Sequence, residues 1–300
     1  MKEDQASATA RLIAKSMVFL SCEETFKHLV PPQAGEISKW FVEETGSFTD
    51  RWFLKRVDKP WFRSLLLGLE RISLPGILLH YLLRKLYLEE IARTSLQEGF
   101  QQVVVLGAGF DTLALRLCRE HPNVRFVEID HPMTQRVKQA ALSRRRLQFE
   151  NLIFLPADFS RQNLEEMFSQ SPGVKPAADT LFIVEGILMY LTPLKVISLF
   201  ESVHQMFRAQ CRFAFTAMEP TKNGSFQFHN ASPIVNLWLR LKNEPFCWGI
   251  PPENLPGFLN ANGFKLREIA TGKTFRERYL SNFQNSPLAK GEYVCVAERV

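Results

Sequence analysis

The sequence has no uninterrupted apolar run of the roughly 18 residues or more that a membrane-spanning helix requires. Its most apolar stretch, residues 52–88, is interrupted throughout by charged and polar side chains. Helices packed on a sheet account for this stretch better than a membrane span, with an interfacial amphipathic helix as a minor alternative. The amino terminus is polar and lacks the basic-then-apolar order of a secretory signal. We therefore expect a cytoplasmic protein with no transmembrane segment.

Cysteine is scarce, and the five cysteines form neither a CxxC pair nor a Cys/His ligand spacing, so we expect buried free thiols and no metal site. Lysine and arginine exceed the acidic residues by six but are dispersed along the chain. The densest basic run, residues 144–146, is typical of a solvated helix end, with RNA contact as the lesser alternative. Nucleic-acid binding is therefore not expected.

A dinucleotide fingerprint is also missing. Residues 102–106 form a short β-branched run, which predicts a buried parallel strand, and Gly107-Ala108-Gly109 follows it as a tight turn that brings backbone N–H groups to a ligand. Three positions after Gly109 stands Thr112 instead of the third glycine of GxGxxG. Asp111, expected to cap the helix that begins near it, would repel a diphosphate. This loop favours S-adenosylmethionine (SAM), a nucleoside cofactor without phosphate.

The second predicted strand, residues 124–129, is followed by Asp130, which lies 23 residues after Gly107. A carboxylate at this position of a βαβ unit can accept hydrogen bonds from both ribose hydroxyls. Two alternatives stay open: Asp130 could cap the next helix, and Glu128, on the same strand face, could be the ribose-binding acid instead.

Four motifs, LGAGFDTLALRL, FVEIDHP, PADF and EGILMYL, follow one another between residues 106 and 191. In this order they resemble the leucine carboxyl methyltransferase family, a group of class I SAM-dependent O-methyltransferases that includes tetracenomycin-type polyketide carboxyl methyltransferases. The resemblance is strongest over residues 84–191 and identifies the family better than the substrate.

The resemblance implies further cofactor contacts. Arg84 matches an arginine that binds the methionyl carboxylate of SAM, although Lys85 takes that place if the alignment shifts by one residue. Asp158 and Phe159 match the adenine site, unless Asp158 caps the helix predicted at residues 164–168. Glu185 closes an apolar strand, so it is expected to face the cleft at the strand end, where the family match places it beside the amino group or sulfonium of SAM.

Two residues are weak candidates for a role at the acceptor. Tyr190 could orient the acceptor with its hydroxyl but could equally pack under the loop, and His229 is the one candidate base of an irregular segment. Thr9-Ala10 resembles the start of the family's first helix. However, Met17 stands where many bacterial relatives carry arginine, so no amino-terminal residue is assigned to the site.

The predicted fold is α/β: a Rossmann-like class I methyltransferase with a seven-stranded, mostly parallel sheet and helices on both faces. Its last strand is expected to insert antiparallel between the fifth and sixth. We expect a helical lid at residues 1–99 and a SAM-binding core at 100–300, with a substrate-covering insertion after strand 5 at about 221–250.

The predicted function is SAM-dependent methylation of a carboxylate or hydroxyl, on a small molecule or an exposed carboxyl group. The alternatives are an NAD(P)-dependent oxidoreductase and a non-catalytic SAM-binding protein. No general base is required for a carboxylate acceptor, because it is already ionised at neutral pH. The acceptor's identity and the oligomeric state stay open.

Overall fold

The structure, a computed structural model, describes residues 6–159, 162, 164–169, 173–241 and 244–300. Its sheet has seven strands in the order β3-β2-β1-β4-β5-β7-β6, all parallel except β7, which runs antiparallel to both neighbours. The strands are β1 Gln102–Leu106, β2 Arg125–Asp130, β3 Leu152–Pro156, β4 Thr180–Val184, β5 Cys211–Met218, β6 Phe264–Ala270 and β7 Glu292–Arg299. The predicted mostly parallel sheet and the inserted antiparallel strand are confirmed.

Twelve α-helices are described. They are α1 Ala8–Cys22, α2 Ala34–Glu44, α3 Phe48–Leu54, α4 Pro60–Ser73, α5 Ile77–Gln97, α6 Leu113–Glu120, α7 Pro132–Arg144, α8 Leu164–Ser169, α9 Pro193–Met206, α10 Pro233–Leu241, α11 Leu255–Ala261 and α12 Gly272–Tyr279. Among the described helices none is long and apolar enough to cross a membrane alone; α4 and α5, bent by 90°, meet the length and composition criteria only as a pair.

Alternation along the strands divides the hydrophobic core into two layers. Val103 and Val105 of β1 face one layer together with residues of α1, α2, α5, α6 and α7. Val104 and Leu106 face the other, with residues of α8, α9 and α11. The helices of the predicted lid thus share a core with the sheet. The predicted division at residue 99 stays a prediction.

The order of the strands creates a switch point. The chain leaves β1 for β2 and β3 on one side and then returns to β4 on the other, so that β1 pairs with both β2 and β4. In open α/β sheets such a point opens a crevice beyond the carboxyl ends of the strands, where ligands bind.

Four local expectations need correction. Helix α6 begins at Leu113, near Asp111 as predicted, but Thr112 is at the capping position and the Asp111 carboxylate binds Lys85 instead of capping the helix. Helix α10 lies in a segment expected to be irregular. Helix α12 was not expected at all. The five cysteines are free, but Cys247 is exposed and Cys22 is only half-buried.

Candidate functional site

A cavity of about 460 Å³ opens at the carboxyl ends of β1, β2, β3 and β4. Its wall includes every residue proposed from the sequence to bind the cofactor, and Tyr190 as well. These residues are Arg84, Gly107, Gly109, Asp130, Asp158, Phe159 and Glu185. The strands bring them together from four separate motifs, because parallel strands end at one edge of a sheet.

The glycine loop after β1 needs glycine for conformation and for space. Gly107 and Gly109 have φ angles of 68° and 50°, a region that side-chain-bearing residues rarely adopt. A Cβ atom on Gly107 would lie 2.4 Å from the Ile187 side chain. The Gly109 N–H donates to Asp130 Oδ2 over 2.6 Å, which ties the loop to the end of β2.

Asp130 does not cap the following helix. Its Oδ1 accepts from the His131 N–H at 2.6 Å, and the helix α7 is capped by His131, whose Nδ1 accepts from the Met133 N–H. Burial raises the pKa of the Asp130 carboxyl, although the two backbone N–H donors oppose this. Each carboxylate oxygen keeps lone-pair capacity for a further donor, so the group can still accept hydrogen bonds from a diol.

Glu128 is separate from the cavity. Its carboxylate is fully buried and lies 2.6 Å from Lys138 Nζ, and burial raises its pKa to about 7. The alternative that Glu128 binds a ribose therefore has no support from its position, since it is absent from the cavity wall.

Arg84, on α5, is 2% exposed and lies between two carboxylates. Its Nε donates to Glu185 Oε1 at 2.9 Å, and Nη1 donates to both oxygens of Glu292 at 2.8 Å. Nη2 is 2.8 Å from Glu185 Oε1 but makes no hydrogen bond with any described residue. Nη2 is thus ion-paired with Glu185 although their alignment is poor for a hydrogen bond, and the planar donors of a guanidinium suit a further carboxylate.

Lys85, the neighbouring alternative, also lines the cavity. Its Nζ donates to Asp111 at 2.7 Å and to Glu185 at 3.0 Å. Burial alone would raise the pKa of Asp111, but Lys85 holds it at about 2. Glu185 is thus bound by two basic residues of α5, a pairing that sequence analysis did not anticipate.

The far end of the cavity carries Asp158 and Phe159, directly after β3. The Asp158 N–H donates to Gln162 Oε1 at 3.1 Å, and Phe159 packs against the second core layer. The residue that would cap α8, at position 163, lies outside the described residues.

The other side of the cavity contains residues that were not assigned to the site. Thr9 Oγ1 donates to Glu244 Oε2 at 2.5 Å, joining α1 to the segment after α10. Tyr190 packs edge-on against Phe246 at 5.4 Å, and burial raises its pKa, with Glu244 adding to the effect. The sequence assigned no amino-terminal residue to the site, and this is corrected by the structure. Four such residues line the cavity: Ser7, Thr9, Ala10 and Ile13.

His229 does not line the cavity. Its Nε2 lies 3.0 Å from the backbone oxygen of Glu219, so it joins the two ends of one connecting segment after β5. This position indicates a structural role for His229 and gives no support to its candidacy as a base. Among the described residues, no group of three or more His, Cys, Asp or Glu side chains is placed to hold a metal ion.

The cavity wall is acidic overall. Five carboxylates face two fixed basic side chains, an excess of three negative charges. The carboxylates are Asp111, Asp130, Asp158, Glu185 and Glu244, and the bases are Arg84 and Lys85. Such a wall attracts a ligand with net positive charge.

The chain is similar to known proteins over its middle part. A family model described as leucine carboxyl methyltransferase matches residues 34–204. A "Putative S-adenosyl-L-methionine-dependent methyltransferase" of Bacillus subtilis is 34% identical over 37% of this chain and 36% of its own length. One of Frankia alni is 30% identical over 57% and 60%, and "Leucine carboxyl methyltransferase 1" of Candida albicans is 30% identical over 31% and 32%.

These matches therefore span between about one third and three fifths of the curated relatives. A solved magnesium protoporphyrin IX methyltransferase from Synechocystis with bound SAH overlaps 74% of this chain and 85% of its own, at 10% identity and a TM-score of 0.44. That likeness is too low to bear on function. Since the family model covers more than half of the sequence, the chain belongs to the leucine carboxyl methyltransferase family.

Proposed function

We propose that this protein is a SAM-dependent O-methyltransferase. The observation that carries the proposal is the acidic cavity beside a glycine loop, with three more carboxylates than basic groups. SAM has a sulfonium and an amino group against a single carboxylate and is a net cation. An NAD(P) cofactor would bring its diphosphate towards Asp111 and Asp130, so the oxidoreductase alternative fits the same wall poorly.

The residues present fit each part of SAM. Asp130 would accept from the ribose hydroxyls, while Asp158 and Phe159 would hold the adenine by hydrogen bonding and by an apolar face. Glu185 would face the amino group or the sulfonium. Arg84 would bind the methionyl carboxylate, because its guanidinium lines the cavity and planar donors suit a carboxylate.

When bound, SAM supplies a methyl group already attached to a positively charged sulfur. The protein therefore needs mainly to position the acceptor and to exclude water from the cavity. Residues of α1 and of the loop at 244–247 cover the cavity and would exclude water. Holding an acceptor in line is worth up to about 7–11 kcal/mol of the barrier.

Of the two acceptor groups, the cavity favours a hydroxyl. Glu244 and Tyr190 line the same cavity and have no proposed role at the cofactor. A carboxylate acceptor would face the negative charge of Glu244, whereas a hydroxyl could donate to it. Glu244 would then act as the general base that takes the proton of the acceptor hydroxyl.

Calorimetry with S-adenosylhomocysteine tests the cofactor assignment. We expect the parent protein to bind it and not to bind NADH. Asp130→Asn should lose on the order of 1.5–3 kcal/mol of binding free energy, since it removes a charged acceptor. Asp58→Asn, at a side chain 65% exposed outside the cavity, is the matched control and should bind like the parent. NADH binding in preference to S-adenosylhomocysteine would refute the proposal.

Turnover is tested with methyl-labelled SAM and a series of paired acceptors. The two members of a pair share one carbon skeleton, and one carries a hydroxyl where the other carries a carboxylate. Transfer to the hydroxyl member, reduced by Glu244→Gln, is expected. Transfer restricted to carboxylates would show that Glu244 is not the general base for a hydroxyl acceptor. Cofactor binding with no transfer to any acceptor of the series would favour the non-catalytic alternative.

A further inference from the structure

Helix α4 carries an apolar stripe on its outer side. Trp61, Leu65, Leu69 and Ile72 are 60%, 50%, 55% and 74% exposed. At 3.6 residues per turn, these four positions fall within roughly a quarter of the helix circumference. The stripe is therefore one continuous face, and single exposed apolar residues scattered over a surface do not explain it.

The core does not need this face. Only Phe62 of α4 is buried, and Leu66 and Leu67 pack partly against the first core layer. Helix α3, just before α4, adds Phe48 and Trp52, which are 76% and 40% exposed. We call the exposed apolar residues of α3 and α4 the outer apolar face.

The segment that carries the outer apolar face is rich in basic residues. Between residues 48 and 73 there are six basic and three acidic side chains. Of the acids, Asp50 is fully buried and is bound by Arg11 and Lys15, while burial raises the pKa of Glu70. The basic residues are Arg51, Lys55, Arg56, Lys59, Arg63 and Arg71.

We propose that the outer apolar face docks on an anionic lipid bilayer, with α4 lying in the plane of the interface. Tryptophan and leucine on one face of a helix with lysine and arginine at its flanks is the pattern of interfacial helices. Basic residues near such a surface are attracted to anionic headgroups, and tryptophan favours the headgroup level.

A second copy of the chain is the less suitable occupant. In a two-fold dimer the same patch meets itself, so the six basic residues of one copy would face those of the other. An anionic bilayer instead complements their charge. This proposal concerns a surface away from the cavity and does not depend on the proposed enzymatic activity.

Helix α10 meets the end of α4, since the Ser232 N–H donates to the Ser73 carbonyl at 2.7 Å. It exposes Ile234, Leu237 and Leu241 at helical spacing. A second row of exposed apolar side chains thus lies on a helix that begins beside the end of α4, and we include it in the proposed bilayer contact.

Co-sedimentation of the 300-residue chain with lipid vesicles tests the proposal. We expect binding to vesicles of phosphatidylcholine with phosphatidylglycerol, little binding to phosphatidylcholine alone, and weakening with salt. The triple variant Leu65→Ser/Leu69→Ser/Ile72→Ser should bind at least about tenfold more weakly, because it removes three apolar side chains that would enter the bilayer. Leu194→Ser, at an exposed residue of α9, is the matched control and should bind like the parent.

Circular dichroism and thermal melting confirm that each variant is folded before its binding is compared. Three outcomes would overturn the proposal: no binding of the parent to anionic vesicles, equal losses in the triple variant and Leu194→Ser, or equal binding to zwitterionic vesicles. If light scattering instead finds a dimer that the triple variant converts to monomers, a second copy covers this face and the lipid assignment is wrong.

Discussion

Arg84 is held by Glu185 on its cavity side and by Glu292 behind it. Two carboxylates fix the plane of the guanidinium, so that the group does not have to reorient when a ligand arrives. Preorganisation of this kind lowers the entropic cost of binding. The geometry also means that Arg84 has both a structural role and a proposed role at the cofactor, and an experiment must separate the two.

Two ligands separate them. S-adenosylhomocysteine has a methionyl-type carboxylate, whereas 5′-methylthioadenosine keeps the nucleoside and lacks the amino-acid part. Arg84→Lys should weaken binding of the first by on the order of 1.5–3 kcal/mol, because lysine cannot reproduce the planar contacts. Binding of the second should change little. Calorimetry on both ligands checks this, and equal losses for the two would assign Arg84 a structural role only.

For single residues, the sequence predicted the cavity-lining residues that belong to a local motif. It missed those whose contacts are with residues far away in the chain. Asp130 follows from its distance to Gly107 along a βαβ unit. The Thr9–Glu244 hydrogen bond joins residues 235 positions apart, and Lys85 pairs with Glu185 across 100 positions. No local pattern indicates such pairs, since they arise only when the helices pack on the sheet.

At the scale of elements, α5 and β7 are joined by buried charge. Glu292, at the start of β7, accepts from Arg84 and lies 2.7 Å from His80 Nε2. Burial alone would raise the pKa of Glu292, but Arg84 and His80 together hold it at about 2. Because the folded-state pKa lies below the unfolded value of about 4.3, the contribution is complete above that value and is lost as the pH falls towards 2.

The Glu292→Gln variant should accordingly be less stable at neutral pH by roughly 3 kcal/mol, since it leaves Arg84 with one fewer counter-charge. Between pH 5 and about 2 the free energy of unfolding should fall more steeply for the parent than for this variant. Urea unfolding at a series of pH values measures both, with Glu253→Gln at an exposed position as the control. Parallel pH profiles for parent and variant would contradict the linkage.

A buried strand was easier to predict from the sequence than a helix that buries few side chains. Strand β1 begins and ends where its apolar pattern predicts, because the sheet leaves its side chains little choice of environment. Helix α12 was missed because it buries a single side chain, Phe275. Its start is set by the capping box of Thr271 and Thr274, a signal that apolar periodicity does not contain.

On the scale of the whole molecule, both faces of one sheet are covered, and the amino-terminal helices supply much of one cover. Without them, apolar side chains of β1 and β4 such as Val103 and Leu181 would face water. The same helices contribute Arg84 and Lys85 to the cavity, so the fold and the proposed cofactor site depend on the same packing. This arrangement argues against a lid that opens independently of the sheet.

We therefore expect the segment before residue 100 and the sheet to unfold together. Trp40 of α2 and Trp248 beside the second core layer can report on the two parts separately, in variants that retain one tryptophan each. Because α1, α2 and α5 share one core layer with the strands, the two fluorescence transitions in urea should have the same midpoint and slope. A Trp40 transition at clearly lower urea would mean that the amino-terminal helices are a separate unit, as a boundary at residue 99 predicts.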